Sequence, residues 1–429
     1  MNARDDRPDD LSAEPASHAS PMTAGASPTV TRVLAGELCT GCGLCASVSR
    51  GIEMGSAAPG YNRPVQSGPV SADEERTIAQ ACPGAVVAAW PRAGEVHPYW
   101  GPYRTVATGF ATDPAVRFQG SSGGAITAIA IHALRSGLAD RVVHVTANPA
   151  DPAGNMVSVS RTPAEVLAGA GSRYVSSSPL SDIDRLLDEP GAFIFIGKPC
   201  DVSALRRLGE VDARVAAKVP LMLAFFCAGI PSRAAVGRVL AALEVAPEDL
   251  LAFRYRGNGW PGKAAAETRD GRIAEMTYEA SWGGFLSHEV QFRCKICPDA
   301  VGGVADIACA DAWYGGESGY PSFEEMEGRS LVVARTARGQ EVLDAALVAG
   351  RLVIEPLDLA EIDLMQPSQA RRKRLIRART AAVRLLGRPT PKMMNLRVAQ
   401  AARLAPMREA LRNFLGTLRR ALNGKLSRR

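Results

Sequence analysis

The sequence lacks any long hydrophobic run. No stretch of about 18 consecutive apolar residues occurs in the 429 residues, which argues against a membrane-spanning helix. The start also lacks the basic residues and apolar centre of a secretory signal. Residues 1–28 are instead rich in Asp, Ser, Ala and Pro, a composition typical of a disordered leader. We therefore expect a cytoplasmic protein.

Acidic residues are nearly absent from the end of the chain. Residues 371–429 contain 18 Lys and Arg against one acid, Glu409, so this segment carries +17 and the remainder −11 of the net +6. We interpret residues 366–429 as a basic helical tail, because five apolar residues recur at helical spacing, namely Leu411, Phe414, Leu415, Leu418 and Leu422.

Three roles for this basic tail stay open. It could lie on an anionic membrane surface, peripheral at the inner membrane face. It could dock an acidic partner, or cap the acidic body as a solvated helix. Phe414 is its only aromatic residue, so no nucleic-acid binding is expected.

The sequence contains nine cysteines, and they are its most informative feature. The cytosol keeps thiols reduced, so disulfides explain them poorly and metal or redox chemistry explains them better. Cys39, Cys42 and Cys45 form a C-x2-C-x2-C run, and Cys82 precedes a proline, as the distant ligand of a ferredoxin-type site does. Ser49 stands where a two-cluster ferredoxin has another cysteine, so this run predicts one [4Fe–4S] cluster. Zinc is the competing metal, although its cysteines usually come in pairs.

Four further cysteines could close a second thiolate site. Cys200 and Cys227 each follow a predicted buried strand, and Cys294 and Cys297 form one C-x2-C pair. The alternative is that Cys200 and Cys227 are buried small side chains. We assign Cys309, in a strand-like segment, to the core.

The middle of the chain alternates strand and helix patterns. Residues 141–147, 192–197, 221–226 and 330–335 are typical of strands, and 125–134, 202–208, 233–243 and 338–348 of helices. This alternation predicts a mixed α/β core. We divide the chain into a ferredoxin-like iron–sulfur segment (29–100), the two parts of an α/β core (101–188 and 189–365), and the tail.

A glycine-rich loop precedes one predicted helix. Residues 119–124, QGSSGG, offer backbone N–H groups and a helix N-terminus to an anion such as a nucleotide pyrophosphate. The loop is neither GxGxxG nor a Walker motif. Simple N-capping of the helix by Ser or Gly is the alternative.

Several motifs in one order resemble a known family. They are the cysteine run with CPG at 82–84, SSGGAIT at 121–127, GSRYV at 171–175, GKPCD at 197–201, FRYRGNGW at 253–260, CKICPD at 294–299 and ADAW at 310–313. Over about residues 30–365 the chain resembles the beta subunit of coenzyme F(420) hydrogenases and dehydrogenases, a superfamily that includes 7-hydroxymethyl chlorophyll a reductase. The family often has glycine where this chain has Ala310.

The resemblance implies bound FAD and one or two [4Fe–4S] clusters. It implies that the first four cysteines hold one cluster and that Cys200, Cys227, Cys294 and Cys297 hold the second. The flavin neighbours that it implies are Ser121, Ser122, Gly123, Gly124, Thr127, Ser172, Arg173, Tyr174, Lys198, Asp311 and Trp313. Lys198 would favour an anionic reduced flavin, unless it is a surface lysine.

The resulting expectation is a flavin- and iron–sulfur-dependent oxidoreductase. Ferredoxin or a deazaflavin coenzyme would be its electron partner, and an unidentified small molecule its substrate. The alternative is a non-catalytic electron-transfer subunit of a larger redox complex, and a third possibility is a zinc-stabilised binding module. No catalytic residue is assigned, because the sequence favours a structural role for His288, the one weak candidate for a general acid.

Overall fold

A mixed β-sheet with helices on both faces forms the centre of the protein, as seen in a computed structural model that describes residues 25–89, 95–315, 322–424 and 426. The strands are β1 Ile52–Ala57, β2 Tyr61–Gln66, β3 Val86–Ala88, β4 Val96–His97, β5 Gly101–Pro102, β6 Thr105–Ala111, β7 Arg141–Asn148, β8 Asp151–Ser160, β9 Phe193–Gly197, β10 Leu221–Phe225, β11 Leu250–Arg254, β12 Lys263–Thr268, β13 Ile273–Thr277, β14 Ile307–Asp311, β15 Ser330–Ala334, β16 Leu352–Pro356 and β17 Lys392–Met394.

The α-helices vary from one turn to five. They are α1 Pro28–Ala35, α2 Leu44–Val48, α3 Ala72–Ala81, α4 Pro114–Gln119, α5 Ala125–Arg135, α6 Pro163–Ala168, α7 Ile183–Asp188, α8 Pro199–Leu208, α9 Ala213–Lys218, α10 Arg233–Ala242, α11 Phe292–Lys295, α12 Ala337–Val348, α13 Ile362–Met365, α14 Pro367–Leu385, α15 Val398–Arg403 and α16 Met407–Leu422. No helix among the described residues is both long and apolar enough to cross a membrane.

Eight of the described strands form the main sheet, in the order β16-β6-β15-β14-β10-β9-β7-β8. The central strands β14, β10, β9 and β7 are parallel. The flanking strands β15, β6, β16 and β8 pair antiparallel. The carboxyl ends of four strands therefore meet at one edge of the sheet.

Alternating side chains divide the core into two layers. On β9, Ile194 faces a cluster built with α5, α6 and α12, whereas Phe193 and Phe195 face one built with α7, α8 and α9. Successive strand residues point to opposite faces, so a strand buried on both sides is apolar throughout. Cys309 lies in the first cluster, as its assignment to the core predicts.

The N-terminal segment packs against this core as a set of short elements. β1 and β2 form a hairpin, and α3 begins at a capping box of Ser71 and Glu74. Cys82 is the C-cap of α3, which fixes the position of that thiol relative to the 39–45 loop. The tail returns to this segment, because β17 pairs with β3 and Val383 packs in a cluster with Cys39.

The mixed α/β class predicted from the sequence is confirmed. Most predicted elements are present within two residues, while the strand that contains Cys309 runs from Ile307 to Asp311. Helix α1 begins at Pro28, inside the predicted leader, and residues 1–24 of that leader lie outside the described residues. The tail helices α14 and α16 lie within the predicted basic segment.

Candidate functional site

Loops at the carboxyl edge of the parallel strands build the site. Lys198 follows β9, Phe226 follows β10, and Trp313 lies just beyond β14. Parallel strands bring such loops together, and ligands of open α/β sheets bind at this edge. Cys200 and Cys227 lie here as well, just past the ends of β9 and β10, which is where the sequence predicts them.

A cavity of about 300 Å³ opens at this edge. Ten of the eleven predicted flavin neighbours line it, namely Ser121, Ser122, Gly124, Thr127, Ser172, Arg173, Tyr174, Lys198, Asp311 and Trp313. The eleventh, Gly123, is pressed against the sheet, where a Cβ atom would lie 2.6 Å from the Gly109 carbonyl oxygen. The sequence thus predicted residues that meet in space, while their contact with a flavin stays a prediction.

The glycine-rich loop forms one wall of this cavity and leads into α5. Gly124 is the N-cap, with φ +75°, and a Cβ atom there would lie 2.6 Å from the Val116 carbonyl oxygen. Only glycine suits that conformation and spacing. Gly124 occupies the N-cap position, as the alternative of Ser/Gly capping predicts, and no side chain accepts a hydrogen bond from the first N–H groups of α5. The Ser121 hydroxyl accepts instead from the Ser172 N–H, and Ser122 Oγ lies 2.8 Å from Ser330 Oγ.

A buried cation lies at the cavity wall. Lys198 is 4% exposed, so the alternative of a surface lysine is wrong. Its Nζ lies 2.7 Å from Asp201 Oδ2 and donates to Ser177 Oγ at 3.2 Å. Burial lowers the pKa of Lys198, but the Asp201 carboxylate together with the neighbouring Cys200 and Cys227 raises it, and the pKa lies above its usual range. Lys198 therefore stays charged at neutral pH.

A second ion pair, between Arg256 and Asp311, also lines the cavity. Arg256 Nη1 and Nη2 donate to the two Asp311 carboxylate oxygens at 2.8 and 2.7 Å, and Trp260 Nε1 donates to Oδ1 at 2.9 Å. The guanidinium carbon lies 4.5 Å from the Tyr278 ring centroid and 4.9 Å from that of Trp313. Such bidentate and cation–π contacts hold a planar group rigidly. This cluster presents a flat aromatic and polar wall.

Arg173 uses its guanidinium group for hydrogen bonds within the protein, although a cation that binds a cofactor would need free N–H groups. Its guanidinium donates to Asn155 Oδ1 and to the carbonyl oxygens of Phe253, Pro152 and Gly154, at 2.5–2.9 Å. Each of its three nitrogens is thus bound within the protein. Arg173 lines the cavity while it ties β8 to β11, so its implied role as a flavin neighbour rests on position alone.

The four N-terminal cysteines come together around one small apolar space lined also by Val33 and Ile78. Burial raises the pKa of each thiol, that of Cys82 to about 11, and mutual charge interactions add to the rise at Cys42 and Cys45. The Gly41 N–H donates to Cys39 Sγ at 3.4 Å. Four thiols with raised pKa values would have to give up their protons for a metal cluster to bind them as thiolates.

The second four cysteines also approach one another. Cys200 interacts electrostatically with Cys227 and Cys294, and Cys227 with Cys294 and Cys297. Burial raises the pKa of Cys227 to about 12 and raises that of Cys200 and Cys297 as well. The four come from three separate places in the chain. The fold therefore brings together the second set, which the sequence could only suggest.

A buried arginine lies near both cysteine sets. Arg293 is 2% exposed and donates to the Pro83 carbonyl oxygen at 2.8 Å. Its charge lowers the pKa of Cys39 and Cys82 in the first set and of Cys297 in the second, against the larger effect of burial. A cation at this place would stabilise thiolates of both sets.

In the part of the chain that the structure describes, no three His, Cys, Asp or Glu side chains converge on a position for one metal ion. Each set supplies four thiols, the number that a cubane cluster takes; Cys39 and Cys42 are buried and the other six cysteines are half-buried.

Sequence reasoning missed several residues of the cavity wall. Asp201 and Arg256 occur in the motifs that carry the resemblance, so a signal existed for both. Gln366 and Gln369 had no signal, since they belong to the segment interpreted as tail. Gln366 Nε2 donates to the Asp311 carbonyl oxygen at 2.7 Å, and Gln369 Nε2 to that of Cys227 at 3.1 Å. The start of α14 is thus part of the site.

Two family descriptions match this chain. "Coenzyme F(420) hydrogenase/dehydrogenase, beta subunit N-term" covers residues 106–183, and the corresponding C-terminal description covers residues 191–360. The first cysteine set and helices α14 to α16 lie outside both matched regions.

Individual proteins agree with the family match. The chain is 28% identical over 235 residues to 7-hydroxymethyl chlorophyll a reductase of Oryza sativa subsp. japonica, which is 54% of this chain and 47% of that protein. It therefore spans about half the length of the rice protein. It is 27% identical over 308 residues to the coenzyme F(420) hydrogenase subunit beta of Methanococcus voltae, which is 68% of this chain and 99% of that subunit.

A solved structure shares the fold. It is a chain of the F(420)-reducing [NiFe] hydrogenase complex from Methanosarcina barkeri, a xenon derivative, with a TM-score of 0.52 and 22% identity. The match covers 67% of this chain and 96% of that one. From the two family descriptions and these relatives, the chain is a member of the coenzyme F(420) hydrogenase/dehydrogenase beta subunit family, whose members are oxidoreductases.

Proposed function

We propose that this protein is an iron–sulfur flavoprotein that passes electrons between two [4Fe–4S] clusters and FAD, and so reduces a small-molecule substrate. The observation that carries the proposal is that the cavity and the second set of cysteines share a wall. Cys227 lines the cavity, and Lys198, which also lines it, interacts electrostatically with Cys200 and Cys227. A ligand of the proposed second cluster thus borders the proposed flavin site.

Bound FAD would supply the exchange between two-electron and one-electron chemistry. The chain's own residues would bind the FAD and orient its ring system. The N-terminus of α5 offers N–H groups and a favourable dipole to a pyrophosphate. Lys198 holds a buried positive charge that favours an anionic ring system, and the wall of Tyr278 and Trp313 gives a planar ring a stacking surface.

The residues of the two cysteine sets would hold the clusters. Burial excludes water and protects the sulfurs, and N–H donors together with Arg293 would tune the potentials of the bound clusters. We propose ferredoxin or a deazaflavin coenzyme as the electron partner. The names of the relatives support this proposal, since one is a chlorophyll reductase and another a subunit of an F(420) hydrogenase.

Anaerobic purification followed by an absorption spectrum and by iron, sulfide and flavin quantification tests the proposal. We expect about eight irons and one flavin per chain. Cys45→Ala and Cys227→Ala should each lower the iron to about four, whereas Cys309→Ala, a buried cysteine in the core, should not. A colourless protein with zinc and no flavin would contradict the redox proposal.

A second candidate function is electron transfer without a substrate site. The M. voltae relative is a hydrogenase subunit and the solved structure is a chain of a complex. If this function holds, the pure chain would carry clusters and flavin but reduce no substrate with reduced ferredoxin or deazaflavin until a second protein is added. Turnover by the isolated chain would exclude it.

A further inference from the structure

Helix α16 attaches to the protein along one narrow face. Thr417 is buried, and Arg379 Nη2 on α14 donates to Asn413 Oδ1 at 3.1 Å. Glu409, the one acid of this helix, pairs with Arg371 on α14. Asn413 and Thr417 are one turn apart, and Glu409 precedes them by another turn, so all three lie on the same side. The inner face of α16 therefore carries these three polar side chains beside Ala421, which packs against the cluster that contains Val383.

The opposite side of α16 exposes a stripe of large apolar side chains. Met407 is 85% exposed, Leu411 57%, Leu415 53% and Leu422 67%. These positions follow helical spacing, so the four side chains lie along one ridge. A globular helix normally turns such a stripe toward the core, and contiguous exposed apolar surface marks an interaction site. This ridge has no partner among the described residues.

Arginines border the ridge on one side. Arg408, Arg412 and Arg419 are exposed, and at about 100° per residue they form a band next to Leu415. Since Glu409 is turned inward, the outer face carries no acid. The helix has 16 residues and is about 24 Å long, too short to span a bilayer.

We propose that α16 docks the protein on an anionic lipid bilayer, with the helix in the plane of the interface, its leucines among the acyl chains and its arginines at the headgroups. An acidic protein surface without an apolar groove would satisfy the arginines and leave the leucines in water. The lipid interface accommodates both faces at once, along the whole helix. The inward position of Glu409 completes this complementarity, because no negative charge opposes the headgroups.

Sedimentation of the full chain with vesicles tests this proposal. We expect binding to vesicles of phosphatidylcholine with phosphatidylglycerol and little binding to phosphatidylcholine alone. Replacing Arg408, Arg412 and Arg419 with Gln should weaken binding roughly a hundredfold, at about fivefold per arginine. The pair Leu411→Gln and Leu415→Gln should weaken it at least about tenfold.

A matched control removes exposed apolar side chains elsewhere. Val348 is 91% and Ile273 63% exposed, away from α16, and replacing both with Gln should leave vesicle binding unchanged. Circular dichroism and thermal unfolding would show that all variants keep the fold. No binding of the unmodified chain to anionic vesicles, or equal loss in the control pair, would overturn the proposal. A dimer in solution that only the leucine pair dissociates, with no lipid binding, would assign the ridge to a second copy instead.

Discussion

At the residue scale, Lys198 and Asp201 form a buried pair whose charges depend on each other. Both are at most 4% exposed and 2.7 Å apart, so removing either leaves the other buried without its partner. The cost of an unpaired buried charge exceeds what the pair itself contributes. Substituting Lys198 alone and together with Asp201 therefore distinguishes a structural role of Lys198 from a role in binding a ligand in the cavity.

Lys198→Met should lower the free energy of unfolding by about 3–5 kcal/mol, because Asp201 loses its counter-charge. The double variant with Asp201→Asn should recover most of that stability, yet still bind less flavin. Urea unfolding and flavin content measure the two effects. Wild-type flavin content in a stable double variant would show that the Lys198 charge does not contribute to binding.

Because His144 is buried, we expect the free energy of unfolding to decrease at acid pH. Burial lowers its pKa from 6.5 to about 4, and its Nε2 lies 2.7 Å from Ser160 Oγ. Because the folded pKa is depressed, the unfolded chain takes up the proton first, and stability present above pH 6.5 is lost as the pH falls toward 4. We expect a loss of about 3 kcal/mol from this group.

Unfolding by urea at pH 7 and pH 4.5 measures this contribution. His144→Gln should show a smaller drop between the two pH values than the unmodified chain. His288→Gln, at an exposed position, is the matched control and should keep the full drop. Identical pH dependence in the His144 variant would locate the acid sensitivity elsewhere.

At the element scale, helix α14 closes over the loop that carries Cys227. Arg372 Nη1 donates to the Cys227 carbonyl oxygen at 2.9 Å and Nη2 to that of Ala228 at 2.6 Å. Lys373 donates to the Pro298 carbonyl oxygen beside the C-x2-C pair. The first basic residues of the tail are thus part of the body, which corresponds to the capping role among the three that the sequence left open, while α16 keeps an exposed face.

Arg372→Met should loosen this loop and lower the free energy of unfolding by about 1.5–3 kcal/mol, the range for hydrogen bonds to a charged group. Amide hydrogen exchange at residues 227–230 should become faster. Arg377→Met, at an exposed position on the same helix, should change neither. Unchanged exchange in the Arg372 variant would show that packing alone holds the loop.

At the scale of the whole molecule, the two halves of the core share one sheet. Strand β6, from the first half, lies between β15 and β16 of the second, and β7 pairs with β9. We expect residues 189–429 alone to aggregate or to unfold without a cooperative transition, because β15 and β16 would lose the strand between them. Gel filtration and thermal unfolding against the full chain check this, and a soluble, cooperative fragment would contradict it.

Features that depend on residues close together in the chain were predicted from the sequence, whereas features that join distant residues were not. The strands at 193–197 and 221–225 and helix α5 were predicted because apolar periodicity is local. Strand order was not predicted, because β6 reaches its neighbours over more than 200 residues and no local pattern encodes that pairing. Gln366 and Gln369 were missed for the same reason, since their place in the cavity depends on where α14 packs.

The sequence alone predicted a cluster at the first cysteine set, because a C-x2-C-x2-C run places three thiols on one loop whatever surrounds it. It also determined the family and the α/β class. The sequence predicted Cys82 as the distant member of this set and proposed the second set, and the tertiary structure places Cys82 beside the run and Cys200, Cys227, Cys294 and Cys297 near one another. Only the tertiary structure decided that Lys198 is buried with a partner. These features join residues far apart in the chain, so they depend on how the sheet and helices pack and not on local spacing.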